Sequence, residues 1–408
     1  MGLPEIVTAI FAATYLGIAL GRVPGLALDR TGIALLGAIA MVASGALKPE
    51  EAWQAINVPT ILLLYALMVV SAQFRLGGFY TRMALGINRF IRRPPVFLGA
   101  LMAVSALLSA LLANDIVCLA FTPVLCLSLL DAGLDPVPFL LGLACASNIG
   151  SAATIIGNPQ NMLIGQVAGL QFLRFLLWCA PPSAASLACC YGVILFVYRG
   201  RWRKAPGHRA RAHEWPEYNR HQTVKGLWIT AALVVMFFTP VPRELSAAVA
   251  AGVLLASRRI STRSILGLVD WHLITLFCAL FILVGALTKY GLSGHAAAWL
   301  EGQGMNVNRP FALSAIALVL SNIVSNVPAV MLLLKQMNLG ITGNLYVLAL
   351  VSTYAGNLTI VGSIANLITV EQARGYGVKI GFRQHARVGV PVTLMSMLIV
   401  LGWAALRG

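Results

Sequence analysis

Apolar runs separated by short polar segments follow one another along almost the whole chain. Runs such as 61–72, 96–113, 227–238 and 390–401 are, with their flanks, long enough to cross about 30 Å of hydrocarbon as helices that rise about 1.5 Å per residue. The pattern therefore predicts an all-α polytopic membrane protein.

Two segments of similar sequence interrupt these runs. TIIGNPQNMLI occupies 154–164, and TIVGSIANLIT occupies 359–369. Each is a polar, glycine-containing stretch inside an apolar run. In a membrane protein, this combination predicts two helices that break near the middle of the bilayer and face a duplicated binding site.

Two further apolar stretches are predicted to be re-entrant helical hairpins. The stretch 95–130 is too long for one span and carries Asn114 and Asp115 at its centre, and 310–339 has the same plan with Ser325-Asn326 at its tip. Polar backbone is tolerated at such a tip when it lines a cavity. Two ordinary spans are the alternative for the first stretch.

The elements fall into two halves of the same order. Residues 1–198 and 226–408 are each predicted to contain three spans, a hairpin, a broken helix and a final span, and the basic segment 199–225 links them. The broken helices are placed at about 137–169 and 343–371. Each half crosses the membrane an odd number of times, about ten crossings in all, so the second half is inverted. Inverted repeats with broken helices are typical of secondary transporters that work by alternating access.

The charge distribution agrees with this topology. Of 408 residues, 59% are hydrophobic and 10% are charged, yet the formal net charge is +16. Basic residues cluster in the loops 75–93, 199–225, 258–269 and 372–387, which the positive-inside rule places on the cytoplasmic face of the inner membrane. These loops are predicted to face anionic lipid headgroups and not nucleic acid. Attraction of an anionic substrate is the alternative.

The hairpin tips and helix breaks are expected to meet at one central site. Gly and Pro permit the unwinding, and the half-helix ends then direct free N–H and C=O groups at the cavity. The predicted substrate-binding residues are Asn114, Ser147, Asn148, Thr154, Gly157, Asn158, Asn161, Ser325, Asn326, Asn357, Thr359, Gly362, Ser363 and Asn366. Their neutral amides and hydroxyls suit a small polyhydroxylated or oxyanionic solute. Hydrogen bonding from helix to helix is the alternative role for each of them.

Asp115 is the most informative ionisable residue. A charged group within a membrane segment is costly and by default functional, and its repeat counterpart is the apolar Val327. Asp115 is therefore predicted to bind the coupling ion, a proton or else a cation such as sodium. An aspartate in an interfacial loop is the alternative. Asp270, His272 and Glu371 lie near predicted span ends, where structural roles are favoured.

Other chemistry is limited by what the spans contain. The seven cysteines lie inside apolar segments without the spacing of a zinc site. Cys118 and Cys145 lie near the candidate site, where packing is the favoured role. No nucleophile/base pair or metal cluster falls within the spans, so neither an enzyme nor a cofactor beyond the coupling ion is expected. No GxxxxGK[ST] loop occurs, so ATP-driven transport would need a separate subunit.

Several segments together resemble the ion transporter superfamily, and within it the ArsB/NhaD-type permeases, which include arsenite and antimonite exporters. They are ANDIVCLAFTPVL at 113–125, SNIGSAATIIGNPQNMLIG at 147–165, SNVPAVMLLL at 325–334 and AGNLTIVGSIANLITVEQAR at 355–374. The divalent anion:sodium symporters are more distant kin. Where those symporters carry Ser-Asn-Thr at the hairpin tips, this chain carries Ala-Asn-Asp and Ser-Asn-Val, and so lacks hydroxyl ligands of the expected sodium sites.

The resemblance implies proton-coupled efflux of arsenite or antimonite, and a homodimer formed through scaffold spans. The predicted lining is compatible with this substrate because arsenous acid is an uncharged triol at neutral pH. Trivalent arsenic also favours thiols, so metalloid contact is the alternative to packing for Cys118 and Cys145, although tight binding by several thiolates would slow release. The alternatives are cation-coupled transport of a dicarboxylate, sulfate or similar anion, a sodium/proton antiporter, and a channel.

Overall fold

The computed structural model describes residues 2–21, 25–203, 217–256, 260–292, 302 and 305–407. Parts of the predicted linker 199–225, of the basic loop 258–269 and of a predicted exterior loop at 289–309 lie outside the described residues. Nineteen α-helices make up the regular structure of these ranges, and no β-strand occurs in them. The all-α fold class is therefore confirmed.

The described part of the first half contains ten α-helices. They are α1 (Leu3–Leu20), α2 (Arg30–Ala43), α3 (Pro49–Ala55), α4 (Val58–Leu76), α5 (Phe79–Ile87), α6 (Pro94–Leu111), α7 (Asn114–Asp131), α8 (Val137–Ser151), α9 (Pro159–Val167) and α10 (Phe172–Val197). Proline lies in the first turn of six of them, α1, α3, α4, α6, α8 and α9. The missing N–H of proline costs nothing there because the first N–H groups of a helix have no helical partner.

The described part of the second half contains nine helices. They are α11 (Arg220–Met236), α12 (Arg243–Leu255), α13 (Thr262–Leu266), α14 (Trp271–Lys289), α15 (Pro310–Val324), α16 (Asn326–Leu334), α17 (Thr342–Ala355), α18 (Ile364–Gly375) and α19 (Phe382–Arg407). Side-chain caps fix several of their starts. The Oδ1 atoms of Asn219 and Asp270, for example, accept the N–H groups of Gln222 and Leu273.

Seven of the described helices are long and apolar enough to cross a membrane, namely α1, α4, α6, α7, α10, α14 and α19. The shortest of them have 18 residues and so extend about 27 Å. The helices α2, α8 and α15 are apolar but shorter. These lengths and compositions make the chain a multi-pass membrane protein. The re-entrant course of α6–α7 and α15–α16 stays a prediction.

Helix packing is preserved when the two halves are exchanged. Helix α4 packs on α12 as α14 packs on α2, and the short α3 contacts α14 as the short α13 contacts α4. Helix α6 packs on α8 as α15 packs on α17, and α7 meets α18 as α16 meets α9. The last helices of the halves, α10 and α19, pack on each other. The predicted internal repeat requires this exchange. It places α7 and α16, the second arms of the predicted hairpins, on helices of the opposite halves.

Candidate transport site

The first helix break is built by the residues of its own signature. Helix α8 ends at Ser151 and α9 begins at Pro159. Asn158 caps α9, because its Oδ1 accepts the N–H of Asn161 at 2.9 Å. A Cβ atom at Gly157 would overlap the backbone of Ser151. Only glycine at position 157 therefore lets the unwound chain pass this close to the end of α8.

The second break repeats this construction. A 3-10 turn, Ile360–Gly362, lies between α17 and α18. Ser363 then caps α18, and its Oγ accepts the N–H of Ala365 at 3.2 Å. In the alignment of the two signatures Ser363 is the counterpart of Asn158, so both short helices start from a polar cap at the same repeat position.

A pair of asparagines satisfies the carbonyl groups that each break sets free. Helix ends leave backbone C=O groups without helical partners. The Nδ2 of Asn161 donates to the carbonyl of Thr154 at 3.0 Å, and the Nδ2 of Asn366 donates to the carbonyl of Thr359 at 3.0 Å. The asparagines and the threonines are repeat counterparts, so one arrangement holds both breaks.

The same threonines tie each break to the hairpin beside it. The Oγ1 of Thr154 donates to the carbonyl of Ala110 at 2.5 Å. The Oγ1 of Thr359 donates to the Oδ1 of Asn322 at 3.0 Å. Ala110 and Asn322 occupy equivalent places, four residues before Asn114 and Asn326. In each half, a hydrogen bond therefore joins the helix break to the first helix of the predicted hairpin.

A network of buried, neutral side chains joins the two halves; the central network consists of Asn114, Ser147, Asn148, Asn357, Ser363 and Asn366. Its centre is Asn148, whose Nδ2 donates to the Oδ1 of Asn357 at 2.8 Å and to that of Asn366 at 3.4 Å. The Oδ1 of Asn148 accepts the hydroxyl of Ser363 at 2.9 Å and the amide of Asn114 at 3.3 Å. The Oγ of Ser147 donates to the carbonyl of Asn114 at 3.0 Å. Two breaks and one hairpin tip are thereby brought together.

The counterpart of the Asn148–Ser363 contact involves a residue that sequence reasoning missed. The Nδ2 of Asn158 donates to the Oγ1 of Thr353 at 3.2 Å, and the Nε2 of Gln160 donates to the same oxygen at 3.2 Å. Thr353 stands opposite Asn148 in the repeat alignment. That alignment was the signal from which its position at the site could have been found.

Three amide atoms of the predicted site are buried without a hydrogen-bond partner. They are the Oδ1 of Asn161, the Oδ1 of Asn326 and the Nδ2 of Asn357. Leaving such an atom unpaired costs about 1–3 kcal/mol. Next to Asn326, Ser325 is the one non-glycine residue in the described chain with a left-handed backbone, at φ 79°. Neither side chain of this tip is bonded to the central network within the described residues.

Asp115 opens onto a cavity beside the central network. This Asp115 cavity has a volume of about 160 Å³, and its polar lining residues are Arg75, Asn114, Asp115, Asn158 and Asp270. The side chain of Asp115 is half-buried. It makes no hydrogen bond or ion pair with any residue that the structure describes. Sequence reasoning did not bring Arg75 or Asp270 to this place, because only the packing of α4 and α14 puts them there.

A second, larger cavity of about 650 Å³ lies among α3, α9, α14 and α16. Its lining residues Leu163 and Met331 are the repeat counterparts of Ile368 and Leu119, which line the Asp115 cavity. The two cavities are therefore related by the exchange of halves. The second contains the Lys289–Glu51 ion pair, with an Nζ–Oε2 distance of 2.7 Å.

The two cysteines near the site are fully buried. The Cys118 thiol lies within hydrogen-bonding contact of Ser147 and Thr369, and Cys145 lies against Cys190. No group of three or more His, Cys, Asp or Glu residues able to hold a metal ion occurs in the described ranges.

Comparison with known proteins finds transporters. The sequence profile of a family described as citrate transporter matches residues 15–339. The silicon efflux transporter LSI3 of Oryza sativa subsp. japonica is 28% identical, with 97% of each chain aligned. An uncharacterized transporter of Mycobacterium tuberculosis is 29% identical over 98% of each chain. A putative transporter arsB of Dictyostelium discoideum is 23% identical over 97% of this chain and 90% of the relative.

Among solved structures, the fold is similar to the crystal structure of the Alcanivorax borkumensis YdaH transporter. The TM-score is 0.53 at 14% identity, and the superposition covers 99% of this chain and 96% of that one. At this identity the likeness concerns the fold alone, and the fold is that of a membrane transporter.

Proposed function

Because the chain belongs to the citrate transporter family, we propose that it is a secondary transporter that exports arsenite or antimonite by alternating access, in exchange for protons. The inverted-repeat topology, with the basic loops in the cytoplasm of the cell, is part of this proposal. The substrate class proposed is a small inorganic acid that is uncharged at neutral pH and carries several hydroxyl groups, such as arsenous acid.

The observation that carries the substrate class is the chemistry of the central network. Its six members are amides and hydroxyls, and none of the groups bonded within it carries a charge. Arsenous acid offers three hydroxyl groups, which donate and accept hydrogen bonds. The unpaired Oδ1 of Asn161 and Nδ2 of Asn357 are an acceptor and a donor of the kind that such a solute satisfies. A neutral triol needs no buried counter-charge.

Two relatives favour the same class. One is named for the efflux of silicon and another is named arsB. Orthosilicic acid, like arsenous acid, is an uncharged polyhydroxy acid at neutral pH. We therefore include it among the substrates to be tested, beside arsenite and antimonite.

Asp115 supports coupling to protons. It is the acidic residue of the first turn of α7, directly after Asn114 of the central network. Protonation changes its charge from −1 to zero, which in a membrane segment is a large change in the cost of moving or burying the group. Substrate and proton would thus act on neighbouring residues of one element.

A second candidate is cation-coupled transport of citrate or another carboxylate. The description of the family favours it, and Arg75 in the Asp115 cavity could bind a carboxylate in a bidentate manner. In that case sodium, and not a proton, would be expected at Asp115. A sodium/proton antiporter, the remaining alternative among secondary transporters, would transport neither a metalloid nor a carboxylate.

The test uses everted membrane vesicles from cells that express the chain. An imposed gradient, acid inside, is expected to drive uptake of arsenite, and Asp115→Asn is expected to reduce this uptake at least tenfold. Orthosilicic acid, citrate, succinate and sulfate are tested in parallel, with and without sodium. Uptake of arsenite that ignores the pH gradient, together with sodium-dependent uptake of citrate, would overturn the proposal in favour of the second candidate.

A further inference from the structure

The Asp115 cavity contains a second carboxylate that the transport proposal does not use. Its charged lining residues are Arg75, Asp115 and Asp270. Asp115 lies in the first turn of α7 in the first half, and Asp270 precedes α14 in the second. A volume of about 160 Å³ has room for about five water molecules at roughly 30 Å³ each. Two carboxyl groups from different halves therefore face one small space that water can fill.

The two carboxylates differ in their access to solvent. Asp270 is exposed, whereas Asp115 is half-buried. One oxygen of Asp270, Oδ1, accepts the N–H of Leu273 at 2.9 Å and caps α14. Within the described residues its other oxygen, Oδ2, accepts no hydrogen bond. Asp270 thus has one oxygen that holds the helix and a second that is available for a proton or water.

The surroundings of Asp115 leave few other partners. Of the helices packed against α7, α6 and α8 carry no charged side chain. On α18, Glu371 and Arg374 pair with each other at 3.3 Å, and on α5, Arg82 lies over the ring of Tyr218 at 5.8 Å. The other titratable groups on α5, α7 and α8 are the buried hydroxyl of Tyr80, the buried thiols of Cys118, Cys126 and Cys145, and Asp131 at the far end of α7. Arg75 and Asp270 are therefore the charged groups that face Asp115.

We infer that Asp270 is the exit residue for the coupling proton, a positioning residue that passes protons from Asp115 to solvent on the side of the basic loops. Protonated Asp115 gives its proton to water in the cavity, and the Asp270 carboxylate takes one from that water, so charge and atoms balance. Asp270 then releases the proton to solvent and returns to the carboxylate form. This inference rests on the proposed role of Asp115 in proton coupling.

The charge of Asp270 also sets the pH range in which transport occurs. Asp115 and Asp270 line the same small cavity, and two negative charges that face one small space repel each other. Removing the charge of Asp270 is expected to lower the pH of half-maximal flux by about 0.5–1 unit. Removing the positive charge of Arg75 is expected to move the same midpoint upwards.

The variant Asp270→Asn tests this with little structural change, because asparagine caps a helix as well as aspartate does. We expect gradient-driven flux to fall several-fold and its pH midpoint to fall, while Arg75→Gln raises the midpoint. The matched control is Asp29→Asn. Asp29 caps α2 in the same manner, through the N–H of Gly32 at 2.8 Å, but it does not line the cavity. Its flux and midpoint are expected to equal those of the unmodified protein.

The outcomes separate this inference from the proposal on which it rests. If Asp115→Asn abolishes coupled flux but Asp270→Asn has the pH profile of Asp29→Asn, the role of Asp270 is wrong and the transport proposal stands. If Asp115→Asn retains full pH-driven flux, the transport proposal itself fails. If Asp270→Asn gives little folded protein in size-exclusion chromatography, Asp270→Ser, another uncharged cap, takes its place in the same comparison.

Discussion

Truncating Asn148 to alanine is the most direct perturbation of the central network. The side chain is 2% exposed and makes four side-chain hydrogen bonds, to Asn114, Asn357, Ser363 and Asn366. Three of these partners belong to the other half of the chain. Asn148→Ala would thus remove three hydrogen bonds between the halves and leave its partners buried without these bonds.

The magnitude follows from the bond lengths. A neutral hydrogen bond contributes about 0.5–1.5 kcal/mol net. The bonds at 2.8 and 2.9 Å count for about 1 kcal/mol each, and those at 3.3 and 3.4 Å for about 0.5 kcal/mol each. The expected loss of folding free energy is therefore about 3 kcal/mol. If these bonds also position the groups that bind the substrate, each 1.4 kcal/mol of lost binding free energy weakens substrate affinity about tenfold.

The assay compares thermal unfolding in detergent and transport per folded molecule with a matched control. Asn344 is 3% exposed and also carries a buried amide, which donates to the carbonyl of Asn308 at 2.5 Å, but it is far along α17 from the break. Asn344→Ala is expected to lower the melting temperature less than Asn148→Ala and to leave specific transport unchanged. Equal melting temperatures for Asn148→Ala and the unmodified protein, with equal specific transport, would refute the reasoning.

Two further predictions concern a break and the second cavity. Gly157→Ala is expected to yield little folded protein, because the new Cβ overlaps the Ser151 backbone. The control is Gly192→Ala on α10, whose new Cβ meets no atom within 4 Å and which should keep a normal size-exclusion peak. Equal yields of the two variants would contradict the packing argument. The hydrogen bond from Lys289 lowers the pKa of Glu51, so its stabilisation is present above the usual glutamate pKa of about 4.3 and is lost as the pH falls through the lower folded value. Melting temperatures of the unmodified protein and Glu51→Gln should thus differ slightly at neutral pH and converge as the pH falls below the usual glutamate pKa. A difference that does not change with pH would contradict this reasoning.

Sequence patterns locate the long helices and the breaks because each follows from local chemistry. Helix α7 begins at Asn114, within the tip expected from the polar pair in a long apolar run. The short helices α3, α5 and α13 have only 7, 9 and 5 residues, too few turns for a periodic apolar face to be read. They are therefore absent from the prediction.

The set of residues that meet at the site depends more on tertiary packing than the positions of the helices and breaks do. Asn161 and Asn366 are recognisable as polar residues at the breaks, but that their Nδ2 atoms serve backbone carbonyls follows only from the path of the unwound chain. Asp270 is identifiable as a helix cap from its position before an apolar run. Its second place, in the Asp115 cavity, requires the contact of α14 with α4, and no local pattern encodes that contact.

The polar contacts of the site are repeated in both halves of the chain, whereas its charged residues are not. Exchange of the halves maps the Asn148–Ser363 bond onto Asn158–Thr353, so neutral hydrogen-bonding groups approach the centre from both halves. The same exchange maps Asp115 onto Val327, and it maps Asp270, the cap of α14, onto the neutral Asn57, which caps α4 in the same manner. A solute bound by the neutral groups would meet similar chemistry from either side. Of the carboxylates that line the two cavities, Asp115 and Asp270 in the Asp115 cavity form no ion pair with a described residue, whereas Glu51 in the second cavity is paired with Lys289. Coupling in this chain is therefore expected to depend on the Asp115 cavity alone, and substrate binding on both halves.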